Sequence, residues 1–231
     1  MNEEILDLQY KDLKLIQDKD GYCFTSDSVL LANYVKTHAK DIVVEFCAGS
    51  GVISILLSKK QNCQRIYGIE LQPRLADMFA RSIKLNNLEN VEPVNMRLEQ
   101  AKEKFGNGKI DVVMVNPPYM EGGDRSENPE IAIATHEIET TLESIIESAS
   151  QILKYGGKFY MVHRVDRLVG CLSLLRKYKL EPKHLQIIYP KMEAEPVVFL
   201  IKAIKNGKKG LRLAKVTFAE DVKYSCNEID D

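Results

Sequence analysis

Asn116-Pro117-Pro118-Tyr119 is the stretch whose residue types and spacing point most directly to chemistry. Two consecutive prolines fix two φ angles and remove two N–H donors. Each also holds the residue before it in an extended conformation. The expected result is a stiff turn rich in acceptors, with the Asn116 side-chain oxygen and the Pro117 carbonyl able to converge on one point. Two converging acceptors suit an NH₂ group. An amine conjugated to an aromatic ring or a carbonyl is a poor nucleophile because its lone pair is delocalised. Hydrogen bonds to both of its hydrogens favour a pyramidal nitrogen whose lone pair points away from the acceptors. Such a nitrogen can attack an activated methyl carbon and displace its leaving group without a strong base, the rate gain coming from alignment and from dipoles fixed around the developing charge. Tyr119 offers a face on which a planar substrate can stack.

A second candidate site lies earlier in the chain. An apolar run delivers Glu45, then the tight turn Cys47-Ala48-Gly49-Ser50-Gly51, and a second apolar run ends in Glu70 and Leu71, Glu70 standing nineteen residues after Gly51. Glycines let backbone approach a ligand, and an acid at that place suits a ribose diol. A pyrophosphate cofactor wants backbone N–H groups aimed at phosphate, usually through a fuller glycine pattern. Here the loop has only Gly49 and Gly51 in that pattern and carries Glu45 beside it, a carboxylate that repels phosphate but can hold an ammonium group. S-adenosylmethionine, with an amino acid at one end, a ribose at the other and no phosphate, fits better. Glu45, Cys47, Gly49, Gly51, Glu70, Leu71 and Asn116 are the candidate cofactor residues.

These residues need elements that present them together. Short apolar runs alternate with amphipathic segments: strands are expected at 42–46, 65–70, 90–94, 111–115 and 158–162, with helical spacing between them and Gly156-Gly157 closing the helix that begins near Leu142. Two last strands, 184–189 and 197–204, have no helix between them and should pair antiparallel. The expectation is an α/β fold, an open Rossmann-like sheet of about seven strands, mostly parallel with one reversed, and helices on both faces. Ligands of such sheets sit beyond the carboxyl ends of the strands, where both candidate sites fall.

The composition agrees with one globular domain. The chain has 231 residues, with 45% hydrophobic and 28% charged residues, and thirty-two Lys and Arg against thirty-three Asp and Glu give a net charge of −1. No net positive field supports indiscriminate nucleic-acid or membrane binding, and no apolar run approaches the roughly 18–20 residues of a membrane span. Five cysteines without a C-x-x-C pair, and no export signal at the N-terminus, predict reduced thiols and a cytoplasmic location. Four histidines, none at metal-ligand spacing, predict no metal site.

Glu45-Phe46-Cys47-Ala48-Gly49-Ser50-Gly51, Glu70 and Asn116-Pro117-Pro118-Tyr119 together resemble the S-adenosylmethionine-dependent amino-methyltransferases of the methyltransferase small-domain type, over residues 40 to 204. The resemblance implies a class I methyltransferase fold, a cofactor held by the loop and the acid, and a target amine held at Asn116, Pro117 and Tyr119. Gly21 to Ala32, His136-Glu137 and the total length are similar to a narrower group, the bacterial enzymes that methylate the exocyclic N6 amine of an adenine in the anticodon loop of a valine tRNA. That likeness implies a tRNA substrate, with residues 1–38 as an N-terminal extension capping the active site and 39–231 as the methyltransferase domain with a basic C-terminal segment. The same turn can hold a protein glutamine amide, as in release-factor methyltransferases. Those usually carry a helical N-terminal domain, and only about forty residues precede the first strand here, which favours nucleic acid. A third reading is a binding protein that keeps the fold without transfer, against which the intact Asn116 turn argues.

Two departures stand out. The first glycine of the usual loop is Cys47, compatible with a negative φ there. The acid often found after the third strand is replaced by Arg97, leaving the cofactor adenine to backbone groups or Asn95. Several weaker signals accompany these. Thr25, Ser26 and Asp27 read as a helix N-cap or, by the resemblance, as part of the cap over the site. Residues 122–129 read as a lid or a loop, and His136 as a helix start. Lys202, Lys205, Lys208, Lys209, Arg212 and Lys215 cluster around Asn206-Gly207, a solvated turn or a contact for RNA phosphates. Tyr10, Tyr22 and Phe24 can stack on bases or simply pack.

Overall fold

The computed structural model describes residues 2–120, 122 and 126–219. The chain opens with a hairpin, β1 (Glu3–Asp7) and β2 (Lys14–Asp18), followed by α1 (Ser26–Tyr34). The alternating part then runs β3 (Ile42–Phe46), α2 (Val52–Lys60), β4 (Arg65–Glu70), α3 (Pro73–Leu85), β5 (Val91–Asn95), α4 (Ala101–Phe105), β6 (Ile110–Val115), α5 (Pro129–Thr135), α6 (Leu142–Ile152) and β7 (Leu153–Arg164). It ends in α7 (Leu168–Lys177), β8 (Leu180–Tyr189), β9 (Val198–Lys205), β10 (Arg212–Leu213) and β11 (Thr217–Phe218).

The main sheet follows the order β10-β8-β9-β7-β6-β3-β4-β5, with β11 beside β8. β3 pairs in parallel with both β4 and β6, so the order reverses there and a crevice opens above their carboxyl ends. β9 is antiparallel to both β7 and β8 and is the reversed strand that was expected. The sheet has nine strands rather than about seven, because β10 and β11, two residues each, extend it along β8.

Side chains alternate between two cores, as a pleated sheet covered on both faces requires. Val43, Val112, Met114, Tyr160, Val162 and Leu200 face α1, α2 and α3. Val44, Val113, Val115, Phe159, Met161 and Phe199 face α6 and α7. Leu8, Leu13 and Leu15 of the N-terminal hairpin join the first core. That hairpin is held further by Arg74, which pairs with Asp18 and lies 2.7 Å from Glu130 of α5. Phe79 of α3 fills the space left by two glycines: a Cβ on Gly51 would lie 1.9 Å from its ring, and one on Gly68, 2.3 Å.

One boundary differs from expectation. Gly156-Gly157 does not close α6. The helix stops at Ile152, and β7 begins at once with a register shift, Ile110 pairing with Leu153 but Val112 with Lys158. The glycines belong to this bulge, where a Cβ on Gly157 would lie 2.9 Å from the Lys154 carbonyl oxygen. Among the described residues no helix is long and apolar enough to cross a membrane.

Candidate functional site

The crevice above β3, β4 and β6 holds both sequence-predicted sites. The glycine loop leaves β3 with Cys47 at φ 56°, Gly49 at 57° and Gly51 at 87°. The expectation of a negative φ at Cys47 is therefore wrong: three positions of the loop are left-handed, and one carries a side chain. Such a conformation is unfavourable for a residue with a Cβ. Cys47→Gly should raise the melting temperature by about 2–4 °C, the scale of a 1 kcal/mol gain in a chain of this size. Cys47→Val, branched at Cβ, should lower it. A lower melting temperature for the glycine variant, read by thermal unfolding, would remove the strain.

Glu70 ends β4 and is 6% exposed. Its Oε2 accepts from Gly49 N at 2.7 Å and its Oε1 from Gln72 N at 2.8 Å. Burial pushes its pKa up and these N–H donors oppose the shift. Each oxygen keeps a lone pair for a further donor, so the carboxylate is fixed in place with capacity to spare. The turn below it is braced by Asn95, whose Nδ2 donates to the carbonyls of Glu70 at 2.8 Å and Leu71 at 3.0 Å. The Asn95 NH₂ is thus committed to the backbone, and only its side-chain oxygen is left to meet an adenine. Arg97 stands at the rim, paired with Glu139 at 3.0 Å. Cys47, Gly49, Glu70, Leu71, Met96, Leu98 and Asn116 line one continuous cleft.

Glu45 is wholly buried. Its Oε2 accepts from Ser54 N at 3.0 Å and from the Ser54 hydroxyl. Its Oε1 has no hydrogen-bond partner among the described residues, and the side chain lines a second pocket with Gly49, Ser50 and Asn116. Burial raises its pKa to about 8, against the lowering effect of Ser54. A buried carboxylate oxygen left without a donor, beside a backbone cradle, calls for a cationic or hydrogen-bonding ligand.

Asn116 follows β6 directly. Its Nδ2 donates to Ser28 Oγ at 3.1 Å, and its Oδ1 accepts from the Tyr119 hydroxyl. That hydroxyl also lies 3.2 Å from Asp27 Oδ2. Burial first, and Asp27 second, push the Tyr119 phenol up, while burial raises the Asp27 carboxyl. The Tyr119 ring is tilted at 56° against His163, 5.2 Å away, so one face is already in contact with protein. His163 Nδ1 accepts from Arg164 N at 2.9 Å, which puts the ring proton on Nε2, and burial lowers its pKa to about 4. Pro117 and Pro118 are buried beneath.

Thr25 occupies the N-cap position of α1 without a side-chain capping bond. The first turn of that helix instead meets the Asn116 turn through Asp27 and Ser28. Tyr22 lines both pockets and burial raises its phenol to about 12. Its N–H donates to Glu130 at 3.3 Å, tying this segment to α5. Phe24 lines the second pocket. Tyr10 lies elsewhere, with the Lys60 ammonium 4.1 Å from its ring centre.

Other expectations are corrected or left behind. His136 caps the C-terminus of α5 rather than starting a helix, with Nδ1 2.9 Å from Thr135 Oγ1. Tyr119 N and Met120 N both donate to Thr135 O, fastening the turn to that helix end. Residues 123–125 of the expected lid, and Cys226, lie outside the described residues. The other four cysteines are free. The basic cluster divides: Lys205 turns to Ser150 and the Tyr178 carbonyl, while Lys208 and Lys209 are exposed on the turn.

A family model described as methyltransferase small domain matches residues 24–178. A release factor glutamine methyltransferase of Bifidobacterium longum is 34% identical over 149 residues, 55% of this chain and 50% of the relative. A tRNA1(Val) (adenine(37)-N6)-methyltransferase of Porphyromonas gingivalis is 22% identical over 178 residues, 74% of this chain and 70% of the relative. The chain thus spans only half the length of the first of these relatives. Among solved structures, that of M. jannaschii TYW2 in complex with AdoMet matches with a TM-score of 0.59 at 16% identity, covering 88% of this chain and 85% of that one. At that identity the likeness establishes the fold.

Proposed function

From the premise that this chain belongs to the methyltransferase small-domain family and uses S-adenosylmethionine, we propose that it methylates the exocyclic N6 amine of an adenine in RNA, with tRNA as the substrate. When bound, the cofactor supplies an electrophilic sulfonium methyl. Glu70 holds the ribose diol through its remaining lone pairs. Glu45 Oε1 meets the ammonium group, which gives the orphaned oxygen its donor. Gly49 supplies the close backbone wall, Gly51 shapes the turn from behind against Phe79 without lining either pocket, and Leu71, Met96 and Leu98 give the apolar faces for the cofactor's adenine. Asn116 Oδ1 and the Pro117 carbonyl accept the amine hydrogens of the target base. Tyr119 presents its free face to that base.

The observation that carries this reading is the meeting of two distant segments. Residues 21–32, the stretch similar to the tRNA enzymes, reach the Asn116 turn through Ser28 and Asp27, which supports reading the N-terminal segment as a cap over the site. The 34% identity to a glutamine methyltransferase favours a second substrate, a protein glutamine amide, at the same acceptors. Methyl transfer from labelled cofactor to bulk tRNA, bulk rRNA and release factors separates the two. Label recovered as N6-methyladenine in tRNA is the expected result; label on glutamine overturns the RNA reading.

Glu70→Ala should weaken cofactor binding at least about tenfold, since a hydrogen bond to a charged group is worth about 1.5–3 kcal/mol. Titration calorimetry checks it, with thermal unfolding to verify the fold. Unchanged affinity would remove Glu70 from the site.

A further inference from the structure

The face of the sheet under α1 carries a second groove, of about 600 Å³, that the methyl-transfer site does not use. Five cations line it: Lys36 after α1, Lys183 on β8, Lys202 on β9, and Arg212 and Lys215 of the C-terminal segment. No carboxylate lines it among the described residues, and none of the five forms an ion pair among them. In a chain of net charge −1 this is a local concentration of positive charge. Lys158, next to Lys36, already feels it: burial and then Lys202 push its ammonium below the ordinary value, although Asp41 opposes the shift.

The floor is ordered in advance. Tyr34 and Tyr160 meet edge to face at 5.8 Å, and the Tyr34 hydroxyl lies 2.7 Å from His184 Nδ1. Tyr160, Lys202 and His184 are cross-strand neighbours on β7, β9 and β8, so they share this face. α1 connects the groove to the active site. Its first turn touches Asn116 and Tyr119, its last residue is Tyr34 in the groove floor, and nine residues of helix span about 14 Å.

We infer that this groove binds the phosphodiester backbone of the RNA substrate at a distance from the modified nucleotide, with Lys202, Arg212 and Lys215 as phosphate contacts. The inference rests on the reading of the substrate as RNA. Phosphates are the anionic ligand that a row of Lys and Arg without ion pairs among the described residues suits, and such contacts position a substrate without reading its sequence. A strand held at both ends of α1 is fixed in orientation as well as in place. The polar turn at Lys208 and Lys209 lies outside the groove lining.

The test compares the full-length chain with a Lys202→Ala/Arg212→Ala/Lys215→Ala variant in binding bulk tRNA over a series of salt concentrations. Each phosphate contact contributes roughly 0.7–0.9 to the slope of log affinity against log salt. The triple variant should lose about two from that slope and at least about tenfold in affinity at low salt, with cofactor affinity and melting temperature unchanged. A Lys208→Ala/Lys209→Ala variant should lose much less. If unaltered protein methylates tRNA but the triple variant keeps its affinity and slope, the groove is not the contact. If the Lys208 and Lys209 variant loses as much as the triple variant, diffuse charge replaces the groove. If unaltered protein neither binds nor methylates any RNA, the substrate reading falls with it.

Discussion

Asn116→Ala should lower kcat by about 10²–10³ while KM and cofactor affinity change little. The Asn116 oxygen is proposed to accept an amine hydrogen as the nitrogen becomes pyramidal, so the bond strengthens in the transition state and its loss falls on kcat. The magnitude is that of losing one preorganised polar contact. Asn116→Asp is the sharper variant, because it keeps the acceptor and removes the donor. In the structure the donor side meets Ser28 Oγ. A hydroxyl can rotate to donate instead, so the turn survives and the Asp variant should be more active than the Ala variant. Single-turnover rates measure both. Near-normal transfer by the Ala variant would sink the proposed mechanism.

The second large effect is one of pH. Glu45, with its pKa raised to about 8 by burial, is mostly protonated at neutral pH in the free protein. An ammonium partner stabilises the carboxylate, so cofactor binding releases a proton. Affinity should therefore rise with pH, by nearly tenfold or about 1.36 kcal/mol from pH 6 to 7 and by about fivefold from 7 to 8, and stop rising above about 8, where the cofactor's own α-ammonium loses its proton. The gain over that range is about fiftyfold, since Glu45 is only half ionised at pH 8. In the cofactor-free protein the sign is reversed for stability: the ordinary value is 4.5, so ionisation of Glu45 works against the fold progressively as pH rises from there to about 8. Calorimetry at pH 7 in buffers of different ionisation enthalpy should count close to one proton released, and Glu45→Gln should abolish the release and weaken binding. An affinity independent of pH between 6 and 8 would take Glu45 out of the ammonium site.

Strands β3, β4 and β6 are legible in the sequence because parallel strands buried on both faces must be continuous apolar runs. The residues at their carboxyl ends, Glu70 closing β4 and Asn116 just after β6, are legible for the same reason: the fold fixes where ligands go. The N-terminal hairpin is hidden. Its strands mix charged and apolar residues, and its turn takes positive φ at Gln9, Lys11 and Asp12 without a glycine to announce it. The bulge in β7 has glycines, but Gly156-Gly157 carries the same signal as a helix terminus. The strain at Cys47 had one signal, the glycine that the resembled loop carries at that position, a residue suited to positive φ, but nothing in the neighbouring residues distinguishes a left-handed cysteine from an extended one. The contacts of Asp27 and Ser28 with the Asn116 turn bridge about ninety residues of sequence, a distance over which spacing says nothing. The division of the basic cluster was available in principle. Period two on β9 sends Lys202 and Lys205 to opposite faces.

Phe79, seated over Gly51 and Gly68, limits the order in which this chain can accept change. The three positions occupy one volume, so none of them drifts alone. A methyl added at either glycine meets the ring before it meets anything else, and shrinking the ring first leaves a void under the cofactor loop. The passable route runs through a smaller side chain at 79 followed by a larger one at 68, where the backbone tolerates a Cβ. At Gly51, left-handed at φ 87°, even that route is closed. The loop is thus shielded from substitution by a residue on a neighbouring helix that never touches the substrate, and Phe79→Leu should make Gly68→Ala tolerable in a chain that otherwise rejects it.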